Sequence, residues 1–136
     1  MAALRLLFAI AFFLVAVPGM AIAQQNCDDP NLSNLAMKFC LHEEYKRVDA
    51  QLNRVWKRAI ASIARADHLD NSQRADWKAK LLAAQRHWIK FKDTDCNEAV
   101  LYEWWGGTGA GAAISMCLIN KTANRIRDLK ARYGLQ

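Results

Sequence analysis

Residues 81–96, LLAAQRHWIKFKDTDC, give the clearest indication of the fold, because they join a helical apolar stripe to a polar cluster and end on a cysteine. Together with the preceding tryptophan, its apolar side chains recur at alternating intervals of four and three residues, which places them on one face of a helix. That face consists of Trp77, Leu81, Ala84, Trp88 and Phe91. We expect these side chains to lie in the core of a helical protein, with Cys96 joining the end of the helix to another element.

The N-terminal residues predict export from the cytoplasm. Arg5 precedes an apolar run of 12 residues, Leu6 to Val17, and the small residues Ala21 and Ala23 match a signal-peptidase site. Residues 1–23 are therefore predicted to be a cleaved signal peptide. As a helix the apolar run would span roughly 18 Å, less than the ~30 Å core of a bilayer, so we expect no stable membrane insertion after cleavage. The expected location is the periplasm or the exterior of a bacterium.

The remaining residues, 24–136, are enough for a single domain and include all four cysteines. An even number of cysteines in a small exported domain predicts two disulfides. Successive cysteines are 13, 56 and 21 residues apart, with no close pair of the kind that binds zinc, so we expect no metal and no other cofactor. The four residues are Cys27, Cys40, Cys96 and Cys117.

Three helical segments are predicted, over residues 32–66, 73–104 and 112–133. Candidate capping residues flank them: Asn31 or Ser33, then Asp70, Asn71 or Ser72, and finally Gly134. Apolar residues at helical spacing define the core faces of the first and third segments: Val48, Leu52, Val55, Ala59 and Ile63, then Ile114, Leu118, Thr122, Ile126, Leu129 and Tyr133.

Short connections between long helices favour antiparallel neighbours, so the predicted fold is all-α, an up-down-up three-helix bundle stapled by two disulfides. Counting from the two connections places Cys40, Cys96 and Cys117 at a similar height, and the N-terminal arm can bring Cys27 to them. All three disulfide connectivities are reachable in this arrangement. We favour Cys27–Cys40 with Cys96–Cys117, because both pairs close short local loops.

Several short motifs accompany the four cysteines: Asp49-x-x-Leu52-Asn53, Ala84-Gln85-Arg86-x-Trp88-Ile89, Asp93-x-x-Cys96, Gly106-Gly107-Thr108, and Thr122-x-x-Arg125 with Leu129. The combined pattern resembles the LprI-type lysozyme-inhibitor domain of small exported bacterial proteins, and it covers nearly all of residues 24–136. Two positions depart from the family pattern. Lys92 stands where arginine is usual, and Lys38 stands where asparagine is common. A lysine cannot copy the bidentate bond of an arginine to a carboxylate.

The resemblance implies an exported binding protein that inhibits or binds a lysozyme-like muramidase in the cell envelope. The residues themselves show no catalytic constellation, and we expect no enzyme. Asp93 and Asp95 are two positions apart and would point about 200° apart on a helix, so they do not form a carboxylate pair. No serine or cysteine has an evident base partner along the chain, and Cys96 is expected to be oxidised.

Polar residues beside the apolar stripe have two interpretations. We favour a buried or half-buried network that locks the second helix to a neighbouring helix, because buried charges need partners. The alternative is a polar contact surface. The residues of the predicted network are Asp49, Asn53, Gln85, Arg86, Asp93 and Arg125.

The segment from residue 104 to 108 is the candidate partner-binding segment. Two adjacent tryptophans on a helix cannot share a face, so at least one is expected to be exposed beside the glycines, and exposed aromatic side chains anchor protein interfaces. The alternative is that both cover the bundle end beside the disulfides. The segment consists of Trp104, Trp105, Gly106, Gly107 and Thr108.

The charge balance bears on the partner. Without Arg5 the chain has 18 basic and 13 acidic side chains, a net charge of +5. Many lysozymes are themselves cationic, and like charges weaken association. The alternative function is therefore a binding or scaffold module, without inhibition, for an anionic envelope glycan or another envelope protein. Nucleic acid is not an expected partner, because the basic residues are scattered among acidic ones. A local acidic cluster (Asp28, Asp29, Glu43, Glu44) could still face a basic enzyme.

Overall fold

The structure is a computed structural model that describes residue 27 and residues 29–136. Its helices are α1 (Asn34–Ala64), α2 (Asn71–Thr94), α3 (Val100–Glu103) and α4 (Ala110–Tyr133), and a π-helical turn (Asp95–Ala99) connects α2 to α3. The described residues form no β-strand. The predicted all-α, up-down-up bundle is confirmed. The predicted signal peptide, residues 1–23, lies outside the described residues.

Helix ends are set by the capping chemistry that the sequence predicts. The Ser33 hydroxyl accepts a hydrogen bond from the backbone N–H of Ala36 at the start of α1. Asp70 begins α2 with a reciprocal capping box, in which its carboxylate accepts from the Gln73 N–H and the Gln73 side chain accepts from the Asp70 N–H. Gly134 ends α4 in the left-handed conformation, with φ of 60°.

The apolar core lies between α1 and α4. These two helices run parallel, because Lys38 packs beside Gly111 near their starts and Arg58 Nη1 donates to the Gln136 carbonyl at their ends, at 2.7 Å. The predicted core face of α1 is confirmed, since all five of its residues are buried. On α4, Leu118, Thr122, Ile126 and Leu129 are buried, and Ile114 and Tyr133 are half-buried.

The core face predicted for α2 is wrong at two positions and only approximate at a third. The inward side chains are Leu81, Gln85, Trp88 and Lys92, whereas Ala84 is exposed and Phe91 is 55% exposed. Trp77 is 37% exposed and stacks on Tyr133, with ring centroids 6.0 Å apart. The face is rotated by about one residue, because Gln85 and Lys92 take inward positions and find polar partners on α4 and α1.

The π-helical turn interrupts what the sequence predicts as one continuous helix. Its hydrogen bond from the Val100 N–H to the Asp95 carbonyl spans five residues instead of four, which inserts one residue into the helix. Fully buried Cys96 lies inside this turn. It forms a disulfide with Cys117 on α4, and Cys27 forms the second disulfide with Cys40 on α1. The favoured connectivity is therefore confirmed in the structure, and both disulfides lie toward one end of the bundle.

Candidate partner-binding site

The candidate site is the turn between α3 and α4, residues 104–108, which we call the aromatic turn. Both of its tryptophans are exposed, Trp104 by 50% and Trp105 by 89%. The backbone is organised by successive hydrogen bonds. The N–H of Trp105 donates to the Tyr102 carbonyl at 3.0 Å, that of Gly106 to Leu101 at 3.3 Å, and that of Gly107 to Trp104 at 2.8 Å. The segment is thus a closed turn that holds Trp105 outward.

Trp105 has the backbone conformation that usually belongs to glycine. Its φ is 48°, and it is the one non-glycine residue with positive φ among the residues that the structure describes. A side chain in the left-handed region costs roughly 1–2 kcal/mol relative to the right-handed one. Gly106 follows with φ of 69° and no neighbouring atom within 4 Å of the position a Cβ would take. The turn therefore holds a large apolar side chain in solvent on a strained backbone.

Trp104 lies against the body of the protein, while Trp105 does not. A Cβ built on Gly109 would lie 2.3 Å from Cζ3 of the Trp104 ring, so the ring lies directly over this glycine. Any larger residue at position 109 would displace the ring. Trp104 therefore covers the end of the bundle only in part and Trp105 extends into solvent, so the alternative that both tryptophans cover the bundle end is wrong.

An apolar groove opens beside the turn, with a volume of about 730 Å³. It is formed by the start of α1, by α3 and by the start of α4. Trp104, Thr108 and Glu103 line it together with small and apolar side chains, among them Met37, Leu41, Ala112, Ala113 and Met116. Met116 is 50% exposed, and methionine adapts readily to the shape of a partner. The aromatic turn and this groove form one continuous surface.

Charge is distributed unevenly along the bundle. Residues 93–120 contain four carboxylates and no lysine or arginine. Asp93 and Asp95 are in ion pairs, with Lys92 at 3.0 Å and Lys121 at 2.8 Å, while Glu98 and Glu103 are exposed. The half of the bundle that contains the aromatic turn, residues 29–49 and 89–121, has six basic and eight acidic side chains. The net positive charge of the chain therefore belongs to the other half.

The residues of the predicted polar network fall into separate groups. Arg125 Nε donates to Gln85 Oε1 at 3.0 Å and joins α4 to α2, and its guanidinium lies over the Trp88 ring at 5.7 Å. Burial lowers the pKa of Arg125, which still remains charged at neutral pH. Asn53 donates to Asp49 at 3.2 Å within α1. Arg86 lies on the exposed side of α2.

Lys92 is buried and joins α2 to α1, a role that the sequence did not predict. Its ammonium donates to the Tyr45 hydroxyl at 2.7 Å and pairs with Asp93, and it lies over the rings of Tyr45 and Trp88 at 5.1 and 5.8 Å. Burial by itself would lower the pKa of Lys92, but the hydrogen bonds to Tyr45 and Asp93 outweigh it, so that the pKa is raised. The signal in the sequence was the position of Lys92, seven residues after Gln85 and hence on the same side of α2.

The Cys96–Cys117 disulfide lies beside the carboxylate of Asp95, which is 3.9 Å from the Cys117 sulfur. Three potential metal ligands are therefore close together. The sulfur atoms of Cys96 and Cys117 are bonded to each other, so neither is available as the thiolate that a metal ion would need. The group supports the fold rather than a metal centre.

These features define a class of protein: a small helical domain, stapled by disulfides near one end, that presents an organised aromatic surface at that end. Within the described part of the chain, no helix is both long enough and apolar enough to cross a membrane. Known proteins with similar sequences support this class and identify a family within it.

The family model described as "Lysozyme inhibitor LprI" matches residues 27–129. The chain therefore belongs to the LprI lysozyme-inhibitor family. It is 29% identical over 102 residues, covering 73% of both chains, to an uncharacterized protein of Rhizobium meliloti (strain 1021), R02472. It is 35% identical over 75 residues to the uncharacterized protein YecT of Escherichia coli (strain K12), covering 54% of this chain and 46% of that protein. No solved structure matches the chain significantly.

Proposed function

We propose that this protein is exported to the bacterial envelope and inhibits a lysozyme-like muramidase by binding it through the aromatic turn and the adjoining groove. Membership of a family of lysozyme inhibitors supports a binding function rather than an enzymatic one. The observation that carries the proposal is Trp105, 89% exposed and held in a left-handed backbone conformation. Backbone strain that persists at an exposed residue is a reason to look for a function there.

An exposed tryptophan on a preorganised turn is suited to enter the cleft of another protein. A tryptophan side chain buries roughly 150–250 Å² on contact and is the residue type most enriched at interface hot spots. Because the hydrogen-bonded turn already fixes the backbone, binding does not have to order it, which lowers the entropic cost of association. The apolar groove beside the turn would receive side chains from the rim of the partner's cleft.

The charge distribution supports a cationic partner despite the positive net charge. Glu98 and Glu103 lie near the aromatic turn, and the half of the bundle that contains it has a slight excess of acidic side chains. A cationic lysozyme that approaches this end is attracted by the excess of acidic side chains, while 12 of the 18 lysines and arginines of residues 24–136 lie in the far half of the bundle. The objection that the net charge raises against a lysozyme partner is therefore weaker at the surface where contact is proposed.

The test is the lysis of a suspension of peptidoglycan-walled cells by several types of lysozyme, with and without the exported, disulfide-bonded protein. We expect dose-dependent inhibition of at least one type. The Trp105→Ala variant should lose about tenfold or more in inhibitory potency, the loss typical of an interface hot spot.

Trp77→Ala is the matched control, because Trp77 is a partly exposed tryptophan at the opposite end of the bundle, stacked on Tyr133. It should lose some stability but keep its inhibitory potency. If the folded protein inhibits none of the lysozymes, the inhibitor proposal fails. The alternative function, binding to an anionic envelope glycan or another envelope protein, would then lead.

A further inference from the structure

The basic side chains of this protein are concentrated in the half of the bundle far from the aromatic turn. Residues 50–88 and 122–136 contain 12 lysines and arginines and four acidic residues. A concentration of basic side chains favours an anionic partner at that end of the bundle. The proposed lysozyme contact does not involve that end.

A groove between the end of α1 and the start of α2 lies within this basic half. Its volume is about 480 Å³, and Lys57, Arg74 and Lys78 line it above apolar side chains that include Ile60 and Ala75. No acidic or aromatic residue lines this groove. We call it the basic groove.

The three basic side chains that line the basic groove have different roles. Arg74 donates to the backbone carbonyls of Ala66 and Leu69 and to the Asn71 side chain, so it holds the connection between α1 and α2. Lys57 and Lys78 are exposed, one on each side of the groove. These two lysines are placed to contact an anionic group that lies over the apolar floor.

The same side of α2 continues the pattern away from the groove. Lys78, Leu82 and Arg86 follow at intervals of four residues, and Ile89 comes three residues later, so all four lie on one side of the helix. Leu82 is 37% exposed and Ile89 is 42% exposed. Exposed aliphatic side chains among basic ones are typical of a surface that rests on an anionic bilayer interface.

We propose that the basic groove and the adjoining side of α2 form a peripheral binding surface for anionic phospholipid. The headgroup phosphate would lie between Lys57 and Lys78, and the apolar floor would contact the first carbons of the acyl chains. A glycan is the less suitable ligand, because sugar rings stack on aromatic side chains and none lines the groove. The proposed surface does not include the aromatic turn, which lies at the other end of the bundle.

The experiment is co-sedimentation of the exported, disulfide-bonded protein with vesicles of phosphatidylglycerol mixed with phosphatidylcholine, and with vesicles of phosphatidylcholine alone. We expect binding to the anionic vesicles only, and weaker binding as the salt concentration rises. The double variant Lys57→Glu with Lys78→Glu should bind the anionic vesicles about tenfold or more weakly.

Arg127→Glu with Arg132→Glu is the matched control, because it changes the net charge equally at two exposed α4 residues that do not line the groove. It should bind within about threefold of the original protein. Circular dichroism of both double variants shows whether they are folded. An equal loss in the two would mean that only net charge matters and would overturn the site. So would the absence of vesicle binding at low salt, or binding to a soluble anionic glycan that the groove variant alone loses.

Discussion

The two halves of the bundle contain the same three long helices but differ in charge, restraint and exposed apolar surface. The half with the aromatic turn has both disulfides, a slight excess of acidic side chains and a strained, solvent-exposed Trp105. The other half is basic and is held by the Asp70 capping box and by Arg74. Net charge is therefore a poor guide to the partner of this protein, because most of the basic side chains and the candidate contact surface lie at opposite ends of the bundle.

Removal of the Cys96–Cys117 disulfide tests whether covalent restraint maintains the end of the bundle that contains the aromatic turn. Replacing Cys96 and Cys117 together by alanine should lower the free energy of unfolding by about 3 kcal/mol, because the unfolded chain regains the freedom that the bridge removes. Urea unfolding measures this loss. The variant should also lose inhibition, because Cys96 fixes the π-helical turn from which α3 and the aromatic turn continue.

The matched control is the double variant Cys27→Ala with Cys40→Ala, which removes the other disulfide of the same half. It should lose a similar amount of stability but keep inhibition, because this bridge ties the N-terminal arm to α1 and does not hold the aromatic turn. Equal loss of inhibition in the two double variants would show that the disulfides act only through global stability.

Replacement of Lys92 tests the polar contact between α1 and α2, with a smaller expected loss of stability. Lys92→Met should lower the free energy of unfolding by about 2 kcal/mol at pH 7, because it removes charge-assisted hydrogen bonds to Tyr45 and Asp93. The pKa of Lys92 is raised in the folded protein. Its contribution is therefore complete below the unfolded pKa of about 10.4 and is lost as the pH rises through the higher folded pKa.

Urea unfolding of the original protein and the Lys92→Met variant at pH 7, 9 and 11.5 measures that difference. We expect it to be the same at pH 7 and 9 and to shrink at pH 11.5. A difference that stayed constant to pH 11.5 would show that Lys92 acts through packing of its aliphatic chain and not through its charge.

The sequence predicted those parts of the fold that depend on local chemistry. The core faces of α1 and α4 consist of small and aliphatic residues at helical spacing, and the caps at Ser33 and Asp70 need only the residues around them. The heights of the cysteines in the predicted bundle left all three connectivities reachable, and the pairing was favoured because both pairs close short local loops. Each of these inferences uses information that lies within one helix or one connection.

The parts that the sequence did not predict depend on partners far along the chain. Gln85 and Lys92 face inward because Arg125 on α4 and Tyr45 on α1 satisfy them, and an apolar pattern cannot show this. The π-helical turn inserts one residue into the helix, and the amino-acid composition of this segment gives no sign of it. The left-handed backbone of Trp105 was hidden because a glycine, the residue expected in that conformation, follows immediately.

Urea unfolding and the lysis assay, applied to Trp105→Gly, Trp105→Ala and the original protein, test whether Trp105 makes the contact from a strained backbone. Both variants lack the indole, but only glycine relieves the left-handed backbone. We predict that both lose inhibition by about tenfold or more, while Trp105→Gly alone becomes more stable, by about 1 kcal/mol. A Trp105→Gly variant that kept full inhibition would contradict the claim that the aromatic turn makes the contact, and one that lost stability would contradict the claim that the turn is strained.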